Sequence, residues 1–329
     1  MSQKLDKIDR KLITGLDSHP KIAISLLAKK IHLSPQVADY RIKRIQEQKI
    51  ITQFGTIFNL SKLGYQQYRI FMQLSNINEE NKHHILNYLQ KHPGVYWSAL
   101  VGGKWDLLIV VWVKDYHAFE NFLEDIFTKY PHAIRDYDAL YIIYQEFHSH
   151  YFLEKTNNPP LKLDFGKSVQ NSSLDSIDLN IIHSIKNNCR LSSLEISRNA
   201  KVNYKTIQNR ILHMEKQGLI GGYRLFLKSE ELGYNAYLLL ISFRSYGREE
   251  EKKLRGYVQE NPHITQYLKI FGPWSIMLHL RVKDNQELQK IIIELREKYS
   301  LIGDYEIIPV FQDILINNFP LRNEDILIK

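Results

Sequence analysis

The apolar residues at the start of this chain are spaced as in three short helices. Five residues at three- and four-residue spacing predict the first helix: Leu5, Ile8, Leu12, Ile13 and Leu16. A second helix is predicted within 25–31, with Leu26, Leu27 and Ile31 on one side. The third begins at Ser34-Pro35, because a serine hydroxyl satisfies a free amide at a helix start and proline has no amide to satisfy.

The third helix is predicted to have two unlike faces. Its inward stripe is expected to contain Val37, Ala38, Arg41, Ile42 and Ile45. Polar and basic residues are left facing outward: Gln36, Asp39, Tyr40, Lys43 and Arg44. A short helix, a tight turn and a longer capped helix with an outward polar face are typical of a helix-turn-helix unit.

The apolar spacing changes after Gln53. Strands are predicted at 54–60 and 68–74, a helix through 85–89, strands at 96–101 and 107–113, a helix at 116–127 and a strand at 137–147. The order strand, helix, two strands, helix, strand is that of a ferredoxin-like (βαββαβ) domain. Because 107–113 is apolar throughout, we expect this strand to be covered by helices on one face and by a second sheet on the other.

The whole pattern occurs twice. Residues recur 169 positions apart: Leu5-Asp6 with Leu174-Asp175, Arg41-Ile42 with Arg210-Ile211, Leu63-Gly64-Tyr65 with Leu232-Gly233-Tyr234, and Trp105 with Trp274. Solenoid and propeller repeats are only about 20 to 50 residues long, so this period indicates the duplication of a larger unit. The predicted fold class is α+β, with two copies of a helix-turn-helix domain followed by a ferredoxin-like domain. The sheet of one copy is the expected cover for the sheet of the other.

Residues 153–173 contain Pro159-Pro160 and several Asn and Ser without periodicity, so they are predicted to form an interdomain linker. The predicted domains are helix-turn-helix at 1–52 and 174–221, ferredoxin-like at 53–152 and 222–319, and a tail at 320–329.

The net charge of +8 is concentrated in the two predicted helix-turn-helix segments. Residues 1–50 carry 11 Lys and Arg against 5 Asp and Glu, and residues 174–222 carry 7 against 4. Such segments are expected of polyanion-binding units, although a solvated basic face is the simpler alternative. The single cysteine excludes intrachain disulfides, and no apolar run approaches the ~20 residues of a membrane span. We therefore expect a cytoplasmic protein without membrane association.

This order of elements, found twice, resembles the Lrp/AsnC family of feast/famine transcriptional regulators. The resemblance rests on the Asp-containing first helix (5–9 and 174–178), the capped third helix running into a Gly-Leu-Ile-like turn (34–51 and 203–220) and the Gly-x-x-Asp turn at 103–106. It implies a second domain of the RAM type, whose sheets pair back to back in a dimer. Two copies in one chain could form that pair internally, as a covalent pseudo-dimer. The family also self-associates into larger rings through these domains, and the resemblance implies a regulator rather than an enzyme, with no cofactor.

The expected main partner is double-stranded DNA. A recognition helix reads the major groove, where Lys and Arg favour guanine and Asn and Gln favour adenine. The predicted DNA-binding residues are Ser34, Gln36, Tyr40, Arg41, Lys43 and Arg44 in the first copy and Asn203, Lys205, Gln208, Asn209 and Arg210 in the second. Because the two sets differ, we predict one asymmetric, non-palindromic site per chain, read by two units about 34 Å apart. The alternative is that these helix-turn-helix units only pack against the rest of the protein and do not bind DNA.

The resemblance also implies a small amino-acid effector near the glycine turn. The predicted effector-binding residues are Gly103, Trp105, Asp106 and Gly272. Backbone amides at such a turn can bind a carboxylate, and Asp106 can bind an ammonium group. The second copy has Ser275 in place of the aspartate, so effector binding is expected at the first copy only. The alternative is that Gly103 and Asp106 are ordinary hairpin-turn residues.

Two other classes of function remain open. Siroheme decarboxylases look like the same two-domain fold and use histidine and arginine to hold a tetrapyrrole, and this chain has His148, His150 and His279 on predicted strands. No third metal ligand accompanies the two neighbouring histidines, so no metal site is predicted. The other possibility is an assembly partner of single-copy family members.

Overall fold

The structure, a computed structural model, describes residues 5–75, 79–150, 152–154, 158–165, 174–244 and 247–326. Parts of the predicted linker 153–173 and tail 320–329, and the first four residues of the first predicted domain, lie outside the described residues.

The first half of the chain contains five helices and six strands among the described residues. They are α1 Lys7–Ser18, α2 Ile24–Lys30, α3 Pro35–Glu47, β1 Ile51–Phe58, β2 Gln66–Leu74, α4 Glu79–Lys91, β3 Val95–Val101, β4 Leu107–Val113, α5 Tyr116–Lys129, β5 Ile134–Phe147 and β6 Leu161–Asp164.

The second half repeats this order, with a short helix at its end in place of β6. Its elements are α6 Ser176–Ile185, α7 Ser193–Ala200, α8 Tyr204–Lys216, β7 Ile220–Leu227, β8 Asn235–Phe243, α9 Arg248–Glu260, β9 Ile264–Phe271, β10 Ile276–Val282, α10 Asn285–Lys298, β11 Ile302–Ile316 and α11 Asn323–Ile326. We call α1–α3 the first head and α6–α8 the second head. The repeated Leu-Gly-Tyr motif has a local role, because Gly64 and Gly233 end a 3-10 turn with φ of +84° and +79°.

The strands that follow the heads form a closed ring. The order is β2-β4-β3-β11-β8-β10-β9-β5, and β5 pairs again with β2. Closure depends on the two longest strands, since β5 pairs with β2 through its first half and with β9 through its second, while β11 pairs in the same way with β8 and then β3. Each ferredoxin-like sheet is therefore joined edge to edge to the other, which the sequence analysis did not predict.

The interior of this ring is the main core. Phe71 and Leu108 of the first copy belong to one buried cluster with Leu238 and Leu240 of the second. The wholly apolar β4 is buried at all seven positions. Its second cover is the sheet of the other copy, because the inner faces of both sheets contribute to this cluster.

The heads are attached to the ring by a separate ribbon in which β1 pairs antiparallel with β7. Each strand of this ribbon leaves the third helix of its own head. Thr56 on β1 also donates to the carbonyl of Ile185 in the second head, with Oγ1 to O at 2.8 Å. The ribbon therefore joins the heads to each other as well as to the ring.

Two apolar positions differ from the sequence analysis. Leu26 and Val37 were assigned to the inward sides of their helices, yet they are 50% and 43% exposed. Successive helical residues are rotated by about 100°, so Leu27 and Ala38 take the inward positions beside Leu26 and Val37. The inward placement of Leu26 and Val37 was wrong.

The other difference lies within 153–173. Residues 161–164 form β6, which pairs antiparallel with the end of β5, from Tyr144↔Asp164 to Phe147↔Leu161. Part of the predicted linker is thus a strand of the sheet. Four residues next to a proline pair are too few to show a strand period, and the pairing is made by a partner more than ten residues away.

Candidate nucleic-acid interface and central cavity

Each of the three arginines predicted to bind DNA joins the third helix of its own head to the first helix of that head. Arg41 donates to Asp6 at 2.7 Å and to Asp9 at 2.9 Å, and Arg44 contacts Asp9 at 2.6 Å. Asp6 caps α1, so these bonds tie α3 to the start of α1. Hydrogen bonds to Asp6 and Asp9 raise the pKa of Arg41. The repeated Asp-x-x-Asp motif is explained by this contact.

The second head repeats the contact with one arginine. Arg210 lies 2.8 Å from Asp175 and 3.0 Å from Asp178, and Asp175 caps α6. Arg210 is 36% exposed at its side chain, against 21% for Arg41 and 30% for Arg44. All three arginines are thus partly buried between helices, and whether they also touch DNA remains a prediction.

The outward face of α3 is polar and open. Gln36, Tyr40 and Lys43 are exposed, and the Tyr40 side chain is 67% exposed. Lys43 pairs with Asp39 one turn earlier, with Nζ 2.8 Å from Oδ2. Hydrogen bonding to Asp39 raises the pKa of Lys43, so its ammonium group stays charged at neutral pH. Ser34 accepts from the amide of Val37 at 3.3 Å and is the cap of the helix.

The outward face of α8 carries different groups. Lys205, Gln208 and Asn209 are exposed, and Asn203 caps the helix by accepting from the amide of Lys205 at 2.9 Å. The faces of α3 and α8 therefore share a capped start but differ in the side chains that they present.

The two heads are in direct contact. Arg190, between α6 and α7, donates to the carbonyls of Pro20 and Ile22 at 2.7 and 2.9 Å. Gln208 and Asn209 line a depression of about 540 Å³ that Lys21 and Arg190 also border. One end of the α8 face is therefore next to the first head, and the two faces are held in one fixed arrangement.

The glycine turn of the first copy is built around Trp105 and Asp106. Gly103 has φ of +87°, which favours glycine, and Trp105 is 1% exposed under the ammonium of Lys104, 4.0 Å from its ring centroid. The Asp106 carboxylate accepts from the amide of Leu74 at 2.8 Å. These contacts are those of a hairpin-turn residue, and among the described residues the second carboxylate oxygen has no hydrogen bond or ion pair.

The equivalent turn of the second copy keeps the backbone contact and loses the carboxylate. Gly272 has φ of +149°, and the amide of Ser275 donates to the carbonyl of Ile241 at 2.9 Å, as the amide of Asp106 does to Met72 at 3.0 Å. The two turns share this backbone hydrogen bond but differ in charge and in the φ of their glycine.

A cavity of about 610 Å³ lies between the β1–β7 ribbon and the ring, and we call it the central cavity. Both copies contribute to its lining, with basic and aromatic side chains most prominent: Arg69, Tyr96, Trp97, Phe147, His150, Arg224, Phe226, His279 and Arg281. Among the described residues no carboxylate lies within ion-pair distance of its three arginines. The sequence analysis singled out two of these residues, His150 and His279, and missed the arginines.

Arg69 and His279 meet on the floor of the central cavity. Arg69 lies on β2 and His279 on β10, with Nη1 2.6 Å from Nε2. A guanidinium only donates, so Nε2 accepts and the ring proton is on Nδ1. Burial, and then the charge of Arg69, lowers the pKa of His279 well below its usual value. Burial lowers the pKa of Arg69 to about 9.

His150 connects the central cavity to the first head. Its backbone amide and its Nδ1 both contact the Asp17 carboxylate in the last turn of α1, each at 2.6 Å. Both side chains are buried, at 9% and 6% exposed. Burial lowers the pKa of His150 against the opposing charge of Asp17, so the neutral ring donates to an ionised carboxylate.

Within the described residues, none of the helices has the length and apolar composition of a membrane-spanning segment. No three histidine, cysteine or acidic side chains among these residues are grouped so that they could hold a metal ion.

Comparisons with known proteins match both kinds of domain. A family model described as "Lrp/AsnC ligand binding domain" matches residues 69–145, and one described as "Winged helix-turn-helix DNA-binding" matches residues 174–220. The transcriptional regulator AzlB of Bacillus subtilis (strain 168) is 31% identical over 147 residues, which are 44% of this chain and 93% of AzlB. The leucine-responsive regulatory protein of Haemophilus influenzae is 26% identical over 153 residues, 46% of this chain and 91% of that protein.

A solved structure matches nearly the whole chain. The crystal structure of the siroheme decarboxylase NirDL covers 97% of this chain and 96% of its own, with a TM-score of 0.63 and 11% sequence identity. Another structure of NirDL is a complex with an iron-uroporphyrin III analogue. At this identity the likeness shows a shared fold. In sequence, by contrast, the chain is related to AzlB and similar transcriptional regulators, and it matches models of a helix-turn-helix domain and of an Lrp/AsnC ligand-binding domain. This chain therefore belongs to the Lrp/AsnC family of transcriptional regulators.

Proposed function

We propose that this protein is a sequence-specific DNA-binding regulator of transcription, in which the two copies act as one covalent pseudo-dimer. In this proposal both heads are helix-turn-helix domains, 1–52 and 174–221. The observation that carries it is that the side chains of α3 fall into two groups, one that binds the rest of the head and one that is exposed. Arg41 and Arg44 hold the head together, while Gln36, Tyr40 and Lys43 are left exposed on a capped helix.

The proposal is tested by DNA binding of the intact chain. Fluorescence anisotropy with duplexes enriched from a random pool should give binding that weakens steeply with salt, because lysine and arginine displace counterions from phosphate. Lys205→Ala, on the exposed face of α8, should weaken binding, and Lys290→Ala, an exposed lysine of α10 on the ring, is the matched control. Equal affinity of the two variants for the selected duplex would count against α8 as a reading helix.

An amino-acid effector at the first glycine turn is a separate proposal. Two observations support it: Asp106 uses one carboxylate oxygen for the Leu74 amide, and Gly103 has φ of +87° in a tight turn, while Ser275 offers no matching charge. Asp106→Asn keeps an acceptor for the Leu74 amide and removes the charge. Calorimetry with a panel of amino acids should show binding that this variant loses and Ser275→Ala retains. Equal binding by Asp106→Asn and the wild-type chain would exclude the site.

Self-association through the ferredoxin-like domains, in the cytoplasm, completes the proposal. Phe271 and Phe311 support it, since both are large apolar side chains on the ring and are 72% and 68% exposed. Light scattering should give a mass above that of one 38.9 kDa chain. Phe311→Glu should lower it toward the single-chain mass. Repeating the measurement with single-copy family members tests the assembly-partner alternative.

A second candidate function is an enzyme that acts on an anionic tetrapyrrole. The three arginines of the central cavity favour it, because a decarboxylase of this type must bind several carboxylates while one carbon–carbon bond breaks, CO2 leaves and a proton takes its place. Incubation with iron-uroporphyrin III tests it directly. A shifted absorption band and a mass loss of CO2 would support the enzyme, whereas an unchanged tetrapyrrole with retained DNA binding supports the regulator.

A further inference from the structure

The lining of the central cavity is mainly basic. It includes four basic side chains, Arg69, Arg224, Arg281 and Lys228, against two acidic ones, Glu230 and Asp313, and Lys228 pairs with Glu231 at 3.1 Å. Arg69 and Arg224 are only 2% and 9% exposed. Taking a cation out of water without a partner costs several kcal/mol, so a fold that keeps such arginines is expected to use them.

The arginines of the central cavity make few hydrogen bonds to other protein groups. Arg69 contacts neutral His279 and the sulfur of Met277, and its Nε has no partner. Arg224 lies 4.8 Å from the ring centroid of Phe147, and Arg281 donates to the carbonyl of Leu280. Among the described residues, none of the three guanidinium groups has a carboxylate within ion-pair distance, although Asp17 acts on Arg224 over a longer distance, as Asp313 and Glu230 do on Arg281.

The remaining walls are flat and apolar. Tyr96, Trp97, Phe147 and Phe226 line the central cavity, and the Arg69 guanidinium lies 5.7 Å from the Trp97 ring centroid. Aromatic walls and scattered guanidinium groups together suit a ligand with a planar apolar body and acid groups on its rim. The volume of about 610 Å³ lies within the range of small-molecule sites.

We propose that the central cavity is an effector site for a planar organic polyanion, one that carries several carboxylates or phosphates, and that the His150–Asp17 contact transmits its binding to the first head. This inference rests on the proposed DNA-binding function. It concerns a site distinct from the glycine turn between β3 and β4, because no residue of 102–106 lines the central cavity.

The direction of the effect follows from the charges around His150. Burial opposes its protonation most, Asp17 favours it, and Arg224 and Arg281 add to the opposition. An anion bound beside these arginines removes the repulsion, so the protonated ring binds Asp17 more strongly. Asp17 is on α1, whose Asp6 and Asp9 hold Arg41 and Arg44 of α3. Ligand binding therefore anchors the first head and should strengthen its hold on DNA.

The first test uses trimesate, a benzene ring with three carboxylates, and its uncharged triamide as the matched probe. Calorimetry with the intact chain should detect trimesate and no triamide. Arg69→Met and Arg224→Met should each weaken trimesate binding at least about tenfold, because one charge-assisted hydrogen bond is lost. Arg248→Met, at the exposed start of α9, is the control. Binding of the triamide, or trimesate binding that is absent or unchanged in both cavity variants, overturns the site.

The second test measures DNA affinity with and without trimesate. The wild-type chain should bind its selected duplex several-fold more tightly with trimesate, and Asp17→Asn, which keeps an acceptor for the His150 amide, should lose this response while still binding trimesate. An unchanged affinity in the wild-type chain, or a response retained in Asp17→Asn, overturns the coupling. If the chain binds no duplex at all, the proposed DNA-binding function fails, and calorimetry still decides whether the site exists.

Discussion

At the scale of single residues, the basic side chains of each head divide between structure and surface. Arg41, Arg44 and Arg210 pair with the aspartates that cap the first helix of their head, while Lys43 and Lys205 face solvent. Replacing one of two neighbouring basic residues on a helix can therefore weaken DNA binding, while replacing the other lowers stability. Lys43 and Arg44 offer this comparison directly, because the sequence analysis assigned both to DNA.

We expect Lys43→Ala and Arg44→Ala to fail in different ways. Lys43→Ala should leave the melting temperature unchanged, weaken DNA binding and lower the slope of log affinity against log salt by about one. Arg44→Ala leaves Asp9, which is almost fully buried, without one of its two arginine partners, so it should lower the melting temperature. Thermal scans and anisotropy at several salt concentrations measure both. A loss of stability in Lys43→Ala equal to that in Arg44→Ala would contradict this assignment.

Arg69 is a residue whose removal should stabilise the ligand-free protein. Its pKa falls to about 9 through burial, and a base with a lowered pKa costs stability at every pH below that value. The cost fades as the pH rises from about 9 toward the pKa of the unfolded chain. We expect Arg69→Met to melt a few degrees higher than the wild-type chain at pH 7, and the difference to shrink above pH 9. A variant that melts lower at pH 7 would show that Arg69 is a structural residue.

At the scale of elements, the heads are positioned by one loop and one ribbon. Arg190 in the α6–α7 loop donates two hydrogen bonds to the α1–α2 loop, and β1 pairs with β7 beneath both heads. Arginine is suited to this role because its planar fork can serve two carbonyls at once. The relative placement of α3 and α8 thus depends on contacts that do not involve DNA.

We expect Arg190→Ala to loosen this placement without unfolding either head. Hydrogen exchange at 19–23 should increase, and the protein should tolerate insertions of one or two base pairs between the sequences read by the two heads. Arg198→Ala, on the exposed side of α7, is the matched control. Anisotropy on a set of spaced duplexes makes the comparison, and an unaltered spacing preference in Arg190→Ala would show that the ribbon alone sets the arrangement.

Local signals in the sequence were sufficient for most elements but not for their assembly. The Ser34-Pro35 start of α3, the buried β4 and the repeated element order all follow from short-range rules of capping, apolar runs and spacing. The double pairing of β5 and β11 depends on contacts between strands that are far apart in the chain, and no short segment carries that information. The β6 strand was missed for the same reason.

The central cavity could not be found from the sequence for a related reason. Arg69, Arg224 and Arg281 are single basic residues on three strands, and each by itself looks like an exposed residue of a half-buried strand. Only the closure of the ring and the position of the ribbon bring them to one space. One signal was available: Arg69 directly precedes the apolar run Ile70 to Met72 within β2.

At the scale of the whole molecule, the two copies are joined along three separate pairs of strands. These are β5 with β9, β3 with β11, and β1 with β7. Each copy alone would expose the edges and inner face of its sheet to water, and such exposed edges invite pairing with other chains. The chain is therefore expected to behave as one cooperative unit, although its relatives are about half as long.

We expect residues 1–165 and 174–329 to be unstable when each is produced alone and to purify together when produced as a pair. Each fragment should aggregate or pair with itself, because it has lost the partner for its edge strands and its inner face. Light scattering and hydrogen exchange report the outcome. A monomeric, fully protected fragment would contradict the interdependence of the copies.

We propose that two unlike heads, held in one arrangement, read DNA as a single regulator. The decisive experiment is selection of bound duplexes from a random pool by the intact chain, followed by sequencing. We expect one enriched motif with two dissimilar halves. The first half should be lost when Gln36, Tyr40 and Lys43 are replaced by alanine together, and the second when Lys205, Gln208 and Asn209 are replaced. A palindromic motif, or the absence of any enriched sequence, would contradict it.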